Sequence, residues 1–246
     1  MKIAVWLSGG AASAVAAKLT VEKYGKEYEI LLLNNPIAEE DADNQRFIQD
    51  VSKWVGKEVV SVKNSKWPTC STYDVWEKRK FMSGPKGAPC TGELKIKARQ
   101  EWENKNHCDY HVLGFTIEEK KRYERFKLTE RKNTIAPLVE QHITKQTCFD
   151  ILASAGIALP RVYLLGYPNA NCVGCVKSSS VEYWNHVRKN HPSVFESRAT
   201  QSRKINAKLV RLSNDKRIFL DGLSPDEIGR PMKQYDFECG IFCEEK

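Results

Sequence analysis

The amino-acid sequence predicts an α/β protein with a doubly wound, mainly parallel sheet and a cysteine-containing, partly helical C-terminal extension. Three observations point there. Short apolar runs alternate with helix-length segments through residues 2–62, the pattern of strand–helix–strand units joined by right-handed crossovers. The opening run Ala4-Val5-Trp6-Leu7 breaks into Ser8-Gly9-Gly10-Ala11-Ala12-Ser13 and then an alanine-rich helix, the layout of an anion-binding turn at the end of a strand. The 246 residues, 41% hydrophobic and 28% charged, suffice for one sizeable core of ordinary globular composition.

The elements follow in order. A strand over 2–7 leads through the glycine turn into a helix over 11–24, and a strand over 29–33 carries Ile30-Leu31-Leu32-Leu33. A helix over 44–55 and a strand over 59–62 come next. Asn34-Asn35-Pro36 ends the second strand in a polar turn, placed to contact a base or ribose and equally explained as a plain turn. Residues 67–89 read as irregular around one short helix over 73–81, with Ser83 to Pro89 a mobile segment over the site. A helix from Gly92 to about Asn104, a buried strand over 110–115 and a charged helix over 116–125 are expected. Ile135 to Leu138 reads as a short loop or edge strand, and residues 147–156 as a helix closed by Gly156. From Asn171 the chain reads as an extension: a CxxC loop, helices over 180–189 and near 197–209, and an unstructured tail. The domain break falls at 168/169, giving a first domain over 1–168 and an extension over 169–246.

Bulk properties narrow the function. No apolar run approaches the ~20 residues that span a bilayer, and no signal segment opens the chain, so a cytoplasmic protein without a membrane partner is expected. A net charge of +8, locally dense between Glu118 and Arg125, suits a polyanionic ligand, either a nucleotide or a nucleic-acid backbone. Eight cysteines without a secretion signal favour metal or redox chemistry over a disulfide framework.

The glycine turn is the first candidate site. Gly9 and Gly10 let the backbone bring its N–H groups close to an anion, the helix behind adds a partial positive charge, and Ser8 and Ser13 add hydroxyls. The turn is neither a Walker loop nor a GxGxxG fingerprint. Lys95, Lys97, Arg122 and Arg161 are the candidate cations for charge that develops on a phosphate or sulfate. The second candidate is Cys172-Val173-Gly174-Cys175, whose spacing lets two thiolates reach one metal ion or cluster and equally fits a redox pair. Cys90, Cys239 and Cys243 are the candidates to complete it. Cys70, Cys108 and Cys148 offer less, since free cysteines at such positions commonly pack as small hydrophobes.

The Ser8–Ser13 turn resembles the SGGxDS loop of the PP-loop ATP pyrophosphatases, with Ala12 where they carry Asp, and its looser relative in the sulfonucleotide reductases. The ordered set SGGAAS, CTGELK at Cys90–Lys95, Leu113-Gly114-Phe115 with Glu118 and Arg122, Ala136-Pro137-Leu138, CVGC and Glu238-Cys239-Gly240-Ile241 resembles the PAPS/APS reductase family across nearly the whole chain. Phage-borne members resemble it most in the Asn171–Lys177 stretch. The resemblance implies an adenine nucleotide α-hydrolase-like fold, with PAPS, APS or ATP held by Ser8, Gly9, Gly10, Ser13, Asn34, Lys95, Gly114 and Arg122. It implies an oxidoreductase in which Cys239 attacks the substrate sulfur and is resolved by thioredoxin or glutaredoxin, although Phe242 stands where the family has His. For the family's iron–sulfur branch it implies a [4Fe–4S] cluster on Cys90, Cys172, Cys175 and Cys243, with zinc as the alternative; Thr91 follows Cys90 where that branch has a second Cys. Two other functions stay open: an ATP-dependent, adenylating sulfurtransferase that thiolates tRNA or DNA, and a non-catalytic nucleotide- and metal-binding protein.

Overall fold

The computed structural model describes residues 1–84, 87–229 and 232. In chain order it contains β1 (Lys2–Leu7), α1 (Ala11–Tyr24), β2 (Glu29–Asn34), α2 (Asp43–Val55), β3 (Val59–Ser61), α3 (Thr72–Arg79), a π-helical turn (Thr91–Ile96), α4 (Lys97–Glu103) and β4 (Tyr110–Val112). A 3-10 turn (Ile117–Glu119), α5 (Lys120–Thr129), β5 (Thr134–Ile135), α6 (Pro137–Glu140), α7 (Lys145–Ser154) and α8 (Arg161–Leu164) follow, then α9 (Val181–Asn190), α10 (Pro192–Ile205), β6 (Val210–Arg211), β7 (Arg217–Ile218) and a 3-10 turn (Leu220–Gly222). Contacts group these into two units. The first comprises Met1–Pro36, Asp41–Val62 and Arg99–Leu164; the second comprises Ile37–Glu40, Lys63–Ala98 and the chain from Leu165. The partition is thus discontinuous in sequence, where sequence reading draws one break at 168/169.

The first unit carries a five-stranded sheet in the order β3-β2-β1-β4-β5. Every pairing is parallel: Val5 of β1 lies opposite Leu32 on one side and Val112 on the other, and the pairs Leu33–Val60 and Val112–Ile135 continue outward. β1 is central and buried from Ile3 to Leu7, hence a continuous apolar run rather than an alternating one. Strand order reverses between β1 and β4, so the loops leaving the carboxyl ends of these two strands flank the switch point where ligands bind in open α/β sheets.

Alanine makes α1 thin enough to nest in this unit. Ala11, Ala14, Ala16 and Ala17 are buried with Val15 and Thr20, and the helix packs against α2, α6 and α7 as well as β1. α2 is the ordinary amphipathic case, burying Phe47, Ile48, Val51 and Val55 on one stripe. It stops at Gly56, which is left-handed at φ +73 and donates its N–H to the Ser52 carbonyl at 2.9 Å.

Several elements differ from expectation for local reasons. The helix predicted from Gly92 begins as a π-helical turn, inside which the buried Glu93 carboxylate accepts hydrogen bonds from Trp67 Nε1 at 3.0 Å, Lys97 Nζ at 2.9 Å and Arg79. The strand predicted over 110–115 stops at Val112, because the next residues pass across the start of α1. Thr116 then forms a capping box with Glu119, and the charged helix runs on to Thr129 because Tyr123 and Phe126 give it a buried face. Ile135 and Pro137 separate an edge strand from a short helix with Pro in its first turn. Gly84 and Gly87 exchange two 2.9 Å backbone hydrogen bonds, closing the base of the turn expected to be a mobile segment; residues 85–86 lie outside the described residues.

The second unit differs most in its later part. α10 starts at Pro192 rather than 197, where Pro occupies the first turn, and ends at Asn206 with φ +60. Part of the tail expected to be unstructured is an antiparallel hairpin, Val210 opposite Ile218, turned through Asp215 at φ +64. Trp76, Trp184 and Arg198 are among the largest fully buried side chains. Among the described residues no helix is long and apolar enough to cross a membrane.

Candidate functional site

The glycine turn lies where β1 ends, at the switch point. Gly9 takes φ +75, a conformation that costs a side-chain-bearing residue ~1–2 kcal/mol. Gly10, extended at φ −108, precedes α1 without a side-chain cap, so the first N–H groups of the helix are not closed by a capping side chain. The Ser13 hydroxyl fastens the turn from within: it donates to the Gly10 carbonyl at 2.9 Å and accepts from the Ser8 N–H at 3.1 Å and the Ser8 hydroxyl at 3.2 Å. Ser8 itself is exposed.

Gly114 belongs to the same place. A Cβ there would lie 2.7 Å from the Ser13 nitrogen and 2.9 Å from the Ala12 carbonyl carbon, so only glycine lets the loop after β4 cross the start of α1. Asn34, expected to reach a base or ribose, instead uses its buried Nδ2 to hold the Leu7 carbonyl at 2.8 Å. It ties together the carboxyl ends of β1 and β2, directly beneath the turn.

Asn44, which lies beside this turn, is a residue that sequence reading missed, because an asparagine in the first turn of a helix reads as a local cap. It is fully buried, and neither Oδ1 nor Nδ2 has a hydrogen-bond partner among the described residues. Its Nδ2 lies 3.5 Å from where a Gly9 Cβ would be. A carboxamide with neither end bonded within the protein costs folding free energy, and this one lies beside the glycine turn.

The acidic residues flanking Asn44 are matched by cations. Arg161 donates to both oxygens of Asp41, at 3.0 and 2.8 Å, and its N–H meets Asp43 at 2.8 Å. Arg46 grips Asp43 at 2.6 and 2.8 Å and also bonds the Ala158 and Leu159 carbonyls. The Arg46 hydrogen bond, helped by Arg161, holds the Asp43 carboxyl at about 2. The other expected cations also face carboxylates: Arg122 pairs with Glu119 at 2.6 Å and stacks on Phe115, Lys97 pairs with Glu93 at 2.9 Å, and Lys95 lies 3.8 Å from Glu40. Arg122 and Arg161 belong to the first unit, Lys95 and Lys97 to the second.

The CVGC turn belongs to the second unit. Gly174 takes φ +70, the Cys175 N–H donates to Tyr183 Oη at 2.7 Å, and Arg198 Nε donates to the Gly174 carbonyl at 3.0 Å. Burial, reinforced by Cys175, pushes the Tyr183 hydroxyl well above its ordinary value, so it stays a neutral hydrogen-bonding group. Cys172 lines a small recess with Tyr167, Asn169, Asn171 and Tyr183. Arg198 is the second residue that sequence reading missed. It is fully buried between Tyr73 and Trp76, bonds Thr72 as well as Gly174, and leaves Nη1 without a partner among the described residues.

Thiolate donors of this kind suit an iron–sulfur cluster or zinc, and the turn offers two. Among the described residues no three of His, Cys, Asp or Glu form a group able to hold a metal ion. Cys239 and Cys243 lie outside the described residues. Burial pushes the thiols of Cys70 above its ordinary value, Cys108 up to about 11 and Cys148 up to about 12, in line with a packing role for all three.

No protein-family model matches the chain, and no curated protein matches it in sequence. Among solved structures it is similar to the U34-tRNA thiolase NcsA from Methanococcus maripaludis with its [4Fe-4S] cluster, with a TM-score of 0.50 and 16% identity over 98% of this chain and 82% of that one. At this identity the likeness establishes the fold alone: an α/β architecture with a parallel five-stranded sheet, consistent with the adenine nucleotide α-hydrolase-like fold.

Proposed function

We propose that this chain is an ATP-dependent sulfurtransferase that adenylates and thiolates a nucleic-acid base, with tRNA as the substrate. The observation that carries the reading is the Ser8–Ser13 turn at the β1/β4 switch point, built from backbone N–H groups, in a fold shared with a tRNA thiolase. The +8 charge supports a polyanionic substrate beyond the nucleotide.

In this reading the turn and the start of α1 hold the phosphates of ATP. A carbonyl oxygen of the base attacks the α-phosphorus, the α–β anhydride bond breaks, and pyrophosphate leaves. A sulfide-level nucleophile then adds at the activated carbon, AMP departs with the oxygen, and one proton is lost. Gly114 keeps the far wall of the site close to α1, and Asn34 fixes its floor. Cys172 and Cys175 are the proposed ligands of a [4Fe–4S] cluster, with Cys90 and Cys243 as the expected completions and zinc as the alternative. Such a group supplies a thiophilic site where sulfur can be held.

The test incubates the purified chain with ATP, inorganic sulfide and unfractionated tRNA. Pyrophosphate release that depends on tRNA, with a thiolated nucleoside in the digested product, is expected. Sulfite release from PAPS or APS with thioredoxin, abolished in Cys239→Ser and without any tRNA-dependent pyrophosphate, would overturn the reading in favour of a sulfonucleotide reductase. Nucleotide binding with neither reaction would identify the non-catalytic alternative.

A further inference from the structure

The helix that follows the switch-point loop has two chemically opposite faces. Tyr123 and Phe126 are buried, their rings 5.6 and 5.7 Å from Phe115, and Phe115 follows directly on the Gly114 that crosses the start of α1. On the other face Lys121, Arg125 and Leu128 fall at i, i+4 and i+7, which puts them on one stripe about 10 Å long. All three are exposed, Leu128 to 82%.

The other cations of this segment have carboxylate partners. Lys120 faces Glu124 at 3.9 Å, Arg122 pairs with Glu119, and Arg131 pairs with Glu103 at 2.9 Å. Among the described residues no ion pair engages Lys121, Arg125, Lys127 or Lys132; Lys127 lies off the stripe, over the Tyr123 ring at 5.5 Å, and Lys132 lies beyond the end of α5. A purely solvated helix face commonly neutralises its charge at i,i+4; here Lys121 and Arg125 occupy that spacing with the same sign. A membrane-binding helix would need a broad apolar face, and this one exposes a single leucine. Two like-charged cations one helical turn apart, followed by one apolar contact, suit a phosphate backbone with an adjoining base or ribose.

We infer that the Lys121–Arg125–Leu128 face of α5 is the docking surface for the RNA substrate. This rests on the thiolase reading and extends it by naming the surface. α5 is tethered to the glycine turn through Phe115 and Gly114, so RNA held along the stripe lies on the element that leads directly to the nucleotide site. Phosphates bind Lys121 and Arg125, and Leu128 packs against an exposed sugar or base.

The test is fluorescence anisotropy of labelled, unfractionated tRNA titrated with the wild-type chain, K121A/R125A, L128A and the control K26A/K53A, over a salt series. K26A/K53A removes the same charge from two other exposed lysines of this unit. K121A/R125A is expected to weaken binding roughly tenfold and to flatten the slope of log affinity against log salt by about 2. L128A weakens binding with the slope unchanged, and K26A/K53A and the affinity for an ATP analogue stay at wild-type values. Equal effects of the two double variants, or an unchanged slope in K121A/R125A, would overturn the surface and leave the thiolase reading standing. A wild-type chain that does not bind tRNA at low salt would overturn both.

Discussion

The two candidate turns, Ser8–Ser13 and Cys172–Cys175, are built alike and held differently. Each pivots on a left-handed glycine, Gly9 at φ +75 and Gly174 at φ +70, and each is braced by hydrogen bonds from nearby side chains. Around Gly9 there is room: the nearest atom to an added Cβ is the Asn44 amide nitrogen at 3.5 Å. Around Gly174 there is none, with Val194 Cγ1 at 2.9 Å and Arg198 Nε at 3.2 Å. The first turn offers main-chain dipoles and is shaped by one unsatisfied carboxamide. The second offers side-chain sulfur and is fixed by α10 packing directly against its backbone. An oxyanion site needs N–H groups that can meet a ligand, whereas a thiolate pair needs a rigid backbone to set the sulfur separation, and the packing around each turn follows that division.

The sharpest way to break this comparison is to give each glycine a methyl group. Gly174→Ala combines left-handed strain with overpacking against α10 and is expected to destabilise the protein by about 3 kcal/mol. Gly9→Ala carries the strain alone and should cost about 1 kcal/mol. Chemical denaturation of the two variants measures both. Equal losses would mean that the two turns are packed alike.

Acid provides the next largest effect and acts on the sheet beneath the first turn. His111 of β4 is buried, with Trp6 Nε1 at 3.2 Å from Nδ1 and Arg131 Nη1 at 2.6 Å from Nε2. Burial, then the Arg131 and Arg99 charges, pushes its pKa down to about 3. A histidine depressed in the fold is neutral there and protonates more readily when unfolded, so stability is fully present above about 6.5 and is lost as pH falls towards 3. The slope is about 1.4 kcal/mol per pH unit, or about 2 kcal/mol by pH 5. His111→Gln should flatten that slope in urea titrations between pH 7 and pH 4.5; an unchanged slope would show that other groups govern the acid response.

What the sequence reveals and what it hides divide along physical lines. β1, α1, β2 and α2 are legible because their apolar periodicity and glycine punctuation are local, and so is the glycine turn. The π-helical turn at Thr91–Ile96 is not, because it forms around Glu93, whose partners Trp67, Arg79 and Lys97 are spread over the sequence. Lys97, Arg122 and Arg161 read as free cations until their carboxylates, Glu93, Glu119 and Asp41, are found beside them. Asn44 reads only as a local helix cap and Arg198 carries no pattern at all. Their significance is the contrast between a polar group and a fully buried setting, which only tertiary structure creates.

The smallest expected change in stability bears most directly on function. Asn44→Leu replaces a buried amide, unpartnered at both ends among the described residues, by an apolar group of similar volume. Removing the desolvation cost of the amide offsets the change of shape, so the variant should be as stable as wild type or up to about 1 kcal/mol more stable. Its affinity for an ATP analogue, read by isothermal titration calorimetry, should fall at least about fivefold, because the polar wall beside Gly9 is gone. A chain that gains stability and keeps its nucleotide affinity would make Asn44 a mere packing fault. A chain that gains one and loses the other would show that the first turn gives up stability to bind, where the CVGC turn, closed by α10, does not.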